Sequence, residues 1–381
     1  MLQHIDIITN TLVLGDANGP SVLVKECLDV QGLPTRCGSA AFADAPAAVA
    51  HSDVVARLIA GGAYITGTTT MHELAFGVTG ANAYAGTAPN PLWPDRIPGG
   101  SSSGSASAVA AGLCDFAIGT DTGGSIRQPA CCCGIYGLKP TQDAISRRGA
   151  IPRASSLDVI GPFAASAEML TRAAGMLLDG FAPLQIDAPK LGRVPVQVDA
   201  DIIAAVDGVL SPRWETVTPL DGLEAAFKAG ITLINYELAG EFGHLARSNA
   251  TLGADVRARL LNALTVTPEM AAEAEQIRTH FTQEVDTALT GLDALVLPTM
   301  PCVPPTWDQA QDPAALIPLT KLVRPFNLSG HPALTVPLRT AAGLPAGLQL
   351  VGRKGEEARL CAIAEFLERQ LTTEPFVEMI G

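Results

Sequence analysis

The sequence predicts an α/β protein with a large buried core, and three observations carry that prediction. Helical and strand-like segments alternate along the chain, the pattern of a sheet covered by helices. Hydrophobic residues make up 48% of the 381 residues and charged residues 17%, which excludes disorder and supplies a sizeable core. The 28 prolines and 37 glycines are spread along the chain, so they mark many sharp turns rather than one linker.

The elements follow in order. Val22, Leu23 and Val24 read as a short buried strand. In 53–59, Val54, Val55, Leu58 and Ile59 share one helical face, with Asp53 as N-cap and Gly61-Gly62 as the stop. Residues 63–65 form a strand. The small residues of 105–112 make a helix, and 113–118 the strand after it. In 166–178 apolar residues recur at 169, 170, 173, 176 and 177, a clear helical stripe. Leu295-Val296-Leu297 is a strand ending at the breaker Pro298. Residues 334–338 and 347–351 are two more strands, and 357–369 an amphipathic closing helix. Between 182 and 228 the pattern is weak. No fixed-period repeat and no domain boundary stands out.

Composition also excludes function classes. The net charge of −13 argues against a nucleic-acid partner, which needs a basic patch, and against an anionic membrane surface. No apolar run approaches the roughly 18 residues of a membrane span, and the N-terminus lacks the basic start of a signal peptide. The eight cysteines, Cys131-Cys132-Cys133 among them, read as reduced thiols of a cytoplasmic protein. No C-x-x-C and no histidine pair at ligand spacing occurs, so no metal site is expected.

The unusual segment is PGGSSSGSASAVAAGLCDFAIGTDTGGSIRQPACCCGIYGLKPT, residues 98–141. It holds two polar, glycine-rich turns. Glycine lets backbone N–H groups converge on an anion, and a serine ending such a turn can sit beside its own oxyanion hole. Thr122-Gly123-Gly124-Ser125 fits that description. Phosphate-loop and dinucleotide patterns are absent.

This segment resembles the signature of the amidase signature family, which reads GGSS(G/S)GS followed by GTDTGGSIR-P. The likeness continues through Gly137-Leu138-Lys139-Pro140-Thr141 and 156–162. It reaches upstream to Lys25-Glu26 and Thr70-Met71-His72-Glu73. Downstream it returns at Pro325-Phe326-Asn327-Leu328-Ser329-Gly330 and 343–349, so it covers about 22–367. Within the family, the run 86–105 looks most like small indole-3-acetamide hydrolases. The resemblance implies one large mixed, twisted sheet covered on both faces by helices. It also implies a single domain over 1–381, with a catalytic core at 20–180 and its C-terminal part at 290–370.

The resemblance further implies a Ser–cis-Ser–Lys triad. Ser125 matches the nucleophile, Ser101 the bridging serine after a cis peptide, and Lys25 the base. Thr122, Gly123, Gly124 and Ser125 would supply the oxyanion hole, and Asp121 and Arg127 a supporting ion pair. Met71, Ser102 and Cys133 are expected against the substrate, with pocket walls from 71–82 and 301–307. The chemistry is consistent. A serine hydroxyl needs a base, a lysine serves only when neutral, and an apolar setting beside Val22–Val24 lowers its pKa. A hydroxyl both donates and accepts, so Ser101 can relay the proton.

Two departures stand out: Glu26 replaces the aspartate common after the family lysine, and the region after Lys190 is short. The expected activity is hydrolysis of a carboxamide C–N bond through a seryl acyl-enzyme, with no metal or organic cofactor. The partner is a small-molecule amide, and a homodimer is left open. Three rivals stand beside this reading. The first is a glutaminase or transferase subunit of an amidotransferase, which the acidic charge and small size disfavour. The second is a non-catalytic relative. The third is a cysteine hydrolase using Cys131–Cys133, whose thiols read better as buried apolar groups. His72 reads as a surface or supporting group.

Overall fold

The computed structural model describes residues 6–210, 215–216 and 219–371. In chain order its first elements are β1 (Ile8–Gly15), β2 (Ser21–Lys25), α1 (Asp53–Ala60), β3 (Tyr64–Thr69), α2 (Ser103–Ala110), β4 (Phe116–Asp121), α3 (Arg127–Cys133), β5 (Tyr136–Lys139), β6 (Val159–Ala164) and α4 (Ala167–Leu177). Then come β7 (Leu191–Arg193), α5 (Ala200–Asp207), β8 (Glu215–Thr216), α6 (Leu223–Arg247), α7 (Ala254–Ala263) and α8 (Pro268–Ala288). The chain closes with β9 (Ala294–Pro298), α9 (Pro313–Leu316), α10 (Arg324–Leu328), β10 (Ala333–Arg339), β11 (Pro345–Val351) and α11 (Glu357–Leu371).

Among the described residues the strands form one 11-stranded sheet in the order β1-β3-β2-β4-β6-β5-β10-β11-β9-β7-β8. It is mixed: β2 runs parallel to β3 and β4, while β4·β6, β5·β10 and β10·β11 are antiparallel. β4, β6 and β11 are buried at every position, as strands are when both faces of a sheet are covered. Helices α2 and α3 pack on the central strands, as do α4 and α11. The expected α/β architecture is therefore present.

Element boundaries shift for local reasons. The cap of α1 is Ser52, not Asp53; Asp53 lies in the first turn and takes hydrogen bonds from Ser146 and Arg148. β4 begins three residues later than expected. Gly112, at φ +67°, ends the preceding helix in the left-handed region, and Asp115 is spent on the Ser21 N–H and hydroxyl at 2.7 and 2.8 Å. Ser166 caps α4 by accepting from the Met169 N–H at 3.2 Å. Helix α3, for which the sequence gives no element, is wholly buried. Part of the weakly patterned region 182–228 lies outside the described residues; the rest holds β7, β8, α5 and the start of α6. The 25-residue α6 packs against α7, α8 and α10 together.

The strand order also positions the site. β2, β3 and β4 are adjacent and parallel, so Lys25, Thr69 and Asp121 emerge at the same edge of the sheet. The carboxyl ends of parallel strands are where such sheets leave room for ligands.

Candidate active site

Lys25 is the last residue of β2 and is fully buried, like Val22, Leu23 and Val24 before it. Its Nζ donates to Ser101 Oγ at 2.7 Å and to Thr120 Oγ1 at 2.8 Å. Burial holds its pKa below the ordinary lysine value, against the opposing pull of Cys27, Asp158 and Asp121. The neighbouring Glu26 carboxylate accepts from the Gly38 N–H at 3.1 Å, and burial pushes it up to about 7.

Ser101 follows a cis peptide from Gly100, as the resemblance implied. Two hydrogen bonds fix this corner. The Gly100 N–H donates to Gln128 Oε1 at 2.9 Å, and the Ser101 carbonyl accepts from the His72 N–H at 3.0 Å. A Cβ at Gly100 would come within 2.9 Å of the Gly80 nitrogen, so nothing larger fits.

The turn from Thr122 to Ser125 hangs on Asp121. That carboxylate takes the N–H groups of Gly124 (2.7 Å), Ile126 (3.1 Å) and Arg127 (3.3 Å). The Arg127 guanidinium adds Nε at 3.0 Å and Nη2 at 2.9 Å, and Asn327 Nδ2 adds 2.8 Å. Burial alone would raise the Asp121 pKa; Arg127 and Asn327 more than offset it and hold the carboxyl well below the usual range. Arg127 is itself satisfied by Gln349 Oε1 and the Val323 carbonyl, both at 2.7 Å, and by Asn327 Oδ1 at 2.6 Å. Asp121 and Arg127 thus form the expected pair, with both side chains fully buried.

Ser125 is 9% exposed, the nearly buried end of that turn. No hydrogen bond among the described residues joins its hydroxyl to Ser101, so the expected Lys25–Ser101–Ser125 chain is closed only at its first link. The Gly124 N–H, expected in the oxyanion hole, is spent on Asp121; those of Thr122, Gly123 and Ser125 have no acceptor among the described residues.

The residues expected against the substrate sit inside the protein instead. Met71 is fully buried and its carbonyl holds Asn82 at 2.8 Å. The Ser102 hydroxyl donates to the Thr120 carbonyl at 3.1 Å, and Cys133 Sγ to the Pro98 carbonyl at 3.3 Å. Burial pushes the thiols of Cys131, Cys132 and Cys133 well up, which removes any thiolate for a cysteine hydrolase. His72 is buried rather than at the surface, and its Nε2 pairs with Asp255 of α7 at 3.0 Å. Among the described residues no cluster of three His, Cys, Asp or Glu side chains could hold a metal ion.

A cavity of ≈ 590 Å³ opens beside the turn, between Phe76 and Val78, α6, α7 and the segment from Pro313 to Arg324. Phe76 and Val78 come from an expected wall. The other expected wall, 301–307, is displaced; Cys302 and Trp307 pack instead on the Ile97–Met300–Leu319 cluster.

Gln128 and Arg324 carry no sequence signal for these places, and Thr120, though inside the GTDTGGSIR-P motif, carries none for its bond to Lys25. Asn327 and Gln349 lie in resembling motifs, but their clamp on Arg127 appears only in three dimensions. Their one hint is polarity inside buried elements.

The family model for amidases matches residues 13–178 and 244–361. The chain belongs to the amidase signature family. It is 34% identical over 415 aligned residues to a glutamyl-tRNA(Gln) amidotransferase subunit of Halobacterium salinarum, covering 94% of this chain and 98% of that protein. A crystal structure of an amidase matches at 33% identity and TM-score 0.84, over 92% of this chain and 84% of that one. A chain from a vestigial protein complex linked to the origins of an s-triazine catabolic enzyme matches at 28% identity and TM-score 0.86, over 94% and 85%. Among the described residues no helix is long and apolar enough to cross a membrane.

Proposed function

We propose that this protein cleaves a carboxamide C–N bond by acyl transfer to Ser125. The observation that supports it most is the buried Lys25 donating to Ser101 at 2.7 Å beside the turn that ends in Ser125. Neutral Lys25 takes a proton from Ser101 as Ser101 takes one from Ser125, and Ser125 Oγ attacks the carbonyl carbon. The tetrahedral oxyanion lies against the free N–H groups of Thr122, Gly123 and Ser125. Return of the proton through Ser101 releases ammonia or an amine. Water then adds to the acyl-enzyme by the same route and yields a carboxylate. The Ser125–Ser101 link forms on substrate binding, as catalytic hydrogen bonds often do.

Free-standing hydrolase and ammonia-releasing subunit of an amidotransferase share this chemistry. The likeness to the amidotransferase subunit over 94% of the chain favours the subunit reading over the free hydrolase that the sequence suggests. With a net charge of −13, contacts to any nucleic acid would fall to a partner. The test is ammonia release from a panel of primary amides, glutamine included, by the chain alone. Release without a partner identifies a free amidase, and glutaminase activity only with added partner subunits identifies the amidotransferase component. In either case Ser125→Ala abolishes turnover, and a fluorophosphonate labels Ser125 alone. Full activity in Ser125→Ala, or a label on Cys131–Cys133, overturns the reading.

A further inference from the structure

The two arginines nearest the Ser125 turn are treated very differently. Arg127 has carboxylate, amide and carbonyl partners on every side. Arg324, the first residue of α10, has none of these. Its Nη2 donates to Thr320 Oγ1 at 2.6 Å, and its guanidinium lies 4.5 Å from the centre of the Phe227 ring. Its Nε is shut off from water and has no hydrogen-bond partner, and no ion pair reaches it among the described residues. A cation left this way is costly unless an anion completes it.

Its place says where that anion would come from. Arg324 lines the ≈ 590 Å³ cavity, and a Cβ at Gly123 would sit 3.2 Å from its Nε. Val323 and, at 3.5 Å, Thr320, both from the same segment, lie against the Cβ position of Gly124. Arg259 of α7 lines the cavity too and adds a second positive charge. The acidic residue on the wall, Asp255, is taken by His72 at 3.0 Å. The rest of the wall carries apolar Phe76, Phe227 and Ile231 together with the amides of Asn235 and Asn262.

We propose that Arg324 binds a carboxylate on the substrate, so that the preferred substrates are half-amides of short dicarboxylic acids. The guanidinium offers its terminal nitrogens to the carboxylate, Nη1 having no hydrogen bond among the described residues, a planar geometry lysine cannot supply. Gly123 and Ser125 are two residues apart, at most about 7 Å of chain, so carboxylate and amide are separated by only a few methylenes. Those methylenes pack on Phe76 and Ile231. With Asp255 engaged, no carboxylate in this wall is left for an α-ammonium group, which places glutamine below its deaminated analogue.

This inference rests on the amide-cleavage reading and is tested so that the two can fail separately. For the wild-type protein, kcat/KM on succinamate and glutaramate should exceed that on butyramide and valeramide by about 10- to 100-fold, the worth of a charge-assisted hydrogen-bond pair. Glutamine should fall below glutaramate. Arg324→Gln should collapse the ratio, and Arg324→Lys should retain part of it. Calorimetry on the Ser125→Ala protein supplies a readout without turnover: glutaramate should bind more tightly than valeramide, and Arg324→Gln should erase the difference. If no amide is cleaved but that binding difference holds, amide cleavage fails and the carboxylate site stands. Equal use and equal binding of charged and neutral amides by the protein with Arg324 intact overturns the carboxylate site, whether or not Arg324→Gln folds. So does a preference that Arg324→Gln leaves unchanged.

Discussion

Lys25 at the end of β2 and Lys139 at the end of β5 are both fully buried lysines, yet their surroundings suit them to different tasks. Burial lowers both pKa values; Lys139, also facing Arg127, comes down to about 7. The difference lies in the partners. Lys139 Nζ donates to the Pro140 carbonyl at 2.8 Å, an acceptor with no proton to pass on. Lys25 donates to two hydroxyls, and a hydroxyl can give up the proton it holds while accepting another. A buried lysine is therefore not a base by virtue of burial; it becomes one when its neighbours can carry a proton onward.

The strongest break of this comparison is Lys25→Ala. Loss of the base should reduce kcat/KM by about 10²- to 10⁴-fold, whereas Lys139→Met should leave it near the wild-type value. The wild-type profile should rise with pH through an ionisation below 10.5 and then level off, since only neutral Lys25 accepts a proton. That limb should vanish in Lys25→Ala. A variant that keeps it would move the base elsewhere.

Asp121 opposes the lowering of both lysines and anchors the Ser125 turn. Asp121→Asn breaks a fully buried ion pair and should cost about 3–5 kcal/mol, read from the denaturant midpoint. The Asp121 carboxyl is held low in the fold, so its contribution is complete above the unfolded value near 4 and is lost as pH falls toward the folded one. An unchanged midpoint would make the clamp dispensable.

Thr120→Val sharpens the comparison by removing one hydroxyl from Lys25 and keeping Ser101. It should cost about tenfold in kcat/KM, the scale of one hydrogen bond to a charged group. The ionisation should move to lower pH, because protonated Lys25 loses an acceptor. A shift to higher pH would show that Thr120 does not hold the ammonium form.

The effect of Lys139→Met leaves turnover alone and appears only in stability. Unfolded, Lys139 titrates near its ordinary 10.5; folded, near 7. Between those values the unfolded chain carries the extra proton, so wild-type stability rises with pH; below 7 both states are charged and the penalty is constant. Glu357 opposes this shift and Lys354 reinforces it. Lys139→Met should be the more stable protein at pH 6, with the gap closing by pH 10 in urea midpoints. Equal slopes in the two proteins would assign the titration to another group.

How much of this is legible in the sequence divides along physical lines. Strands such as β9 and helices such as α4 are readable because apolar periodicity and a capping serine are local properties. The long α6 is not, because apolar residues outside its buried stripe, such as Phe227 and Ile231 at the cavity, blur the periodicity. α3 escapes the sequence reading because its cysteines, glutamine and arginine carry no stripe at all when every face is buried.

The sequence by itself determined the α/β class, the family, and Lys25, Ser101, Ser125, Asp121 and Arg127 as the residues to watch, since a dense motif encodes them within short windows or at recognisable strand ends. Only the tertiary structure decided that Thr120 shares Lys25, that Gln128 pins the Ser101 corner, and that Asn327 and Gln349 hold Arg127 from about 200 residues away. It also withdrew Gly124, Ser102, Met71 and Cys133 from the substrate and put Arg324 at the cavity wall without a partner for its Nε. The reason is the same in each case: hydrogen-bond and charge pairing are settled by which strand ends meet across the sheet, and no local pattern of residue types records that meeting.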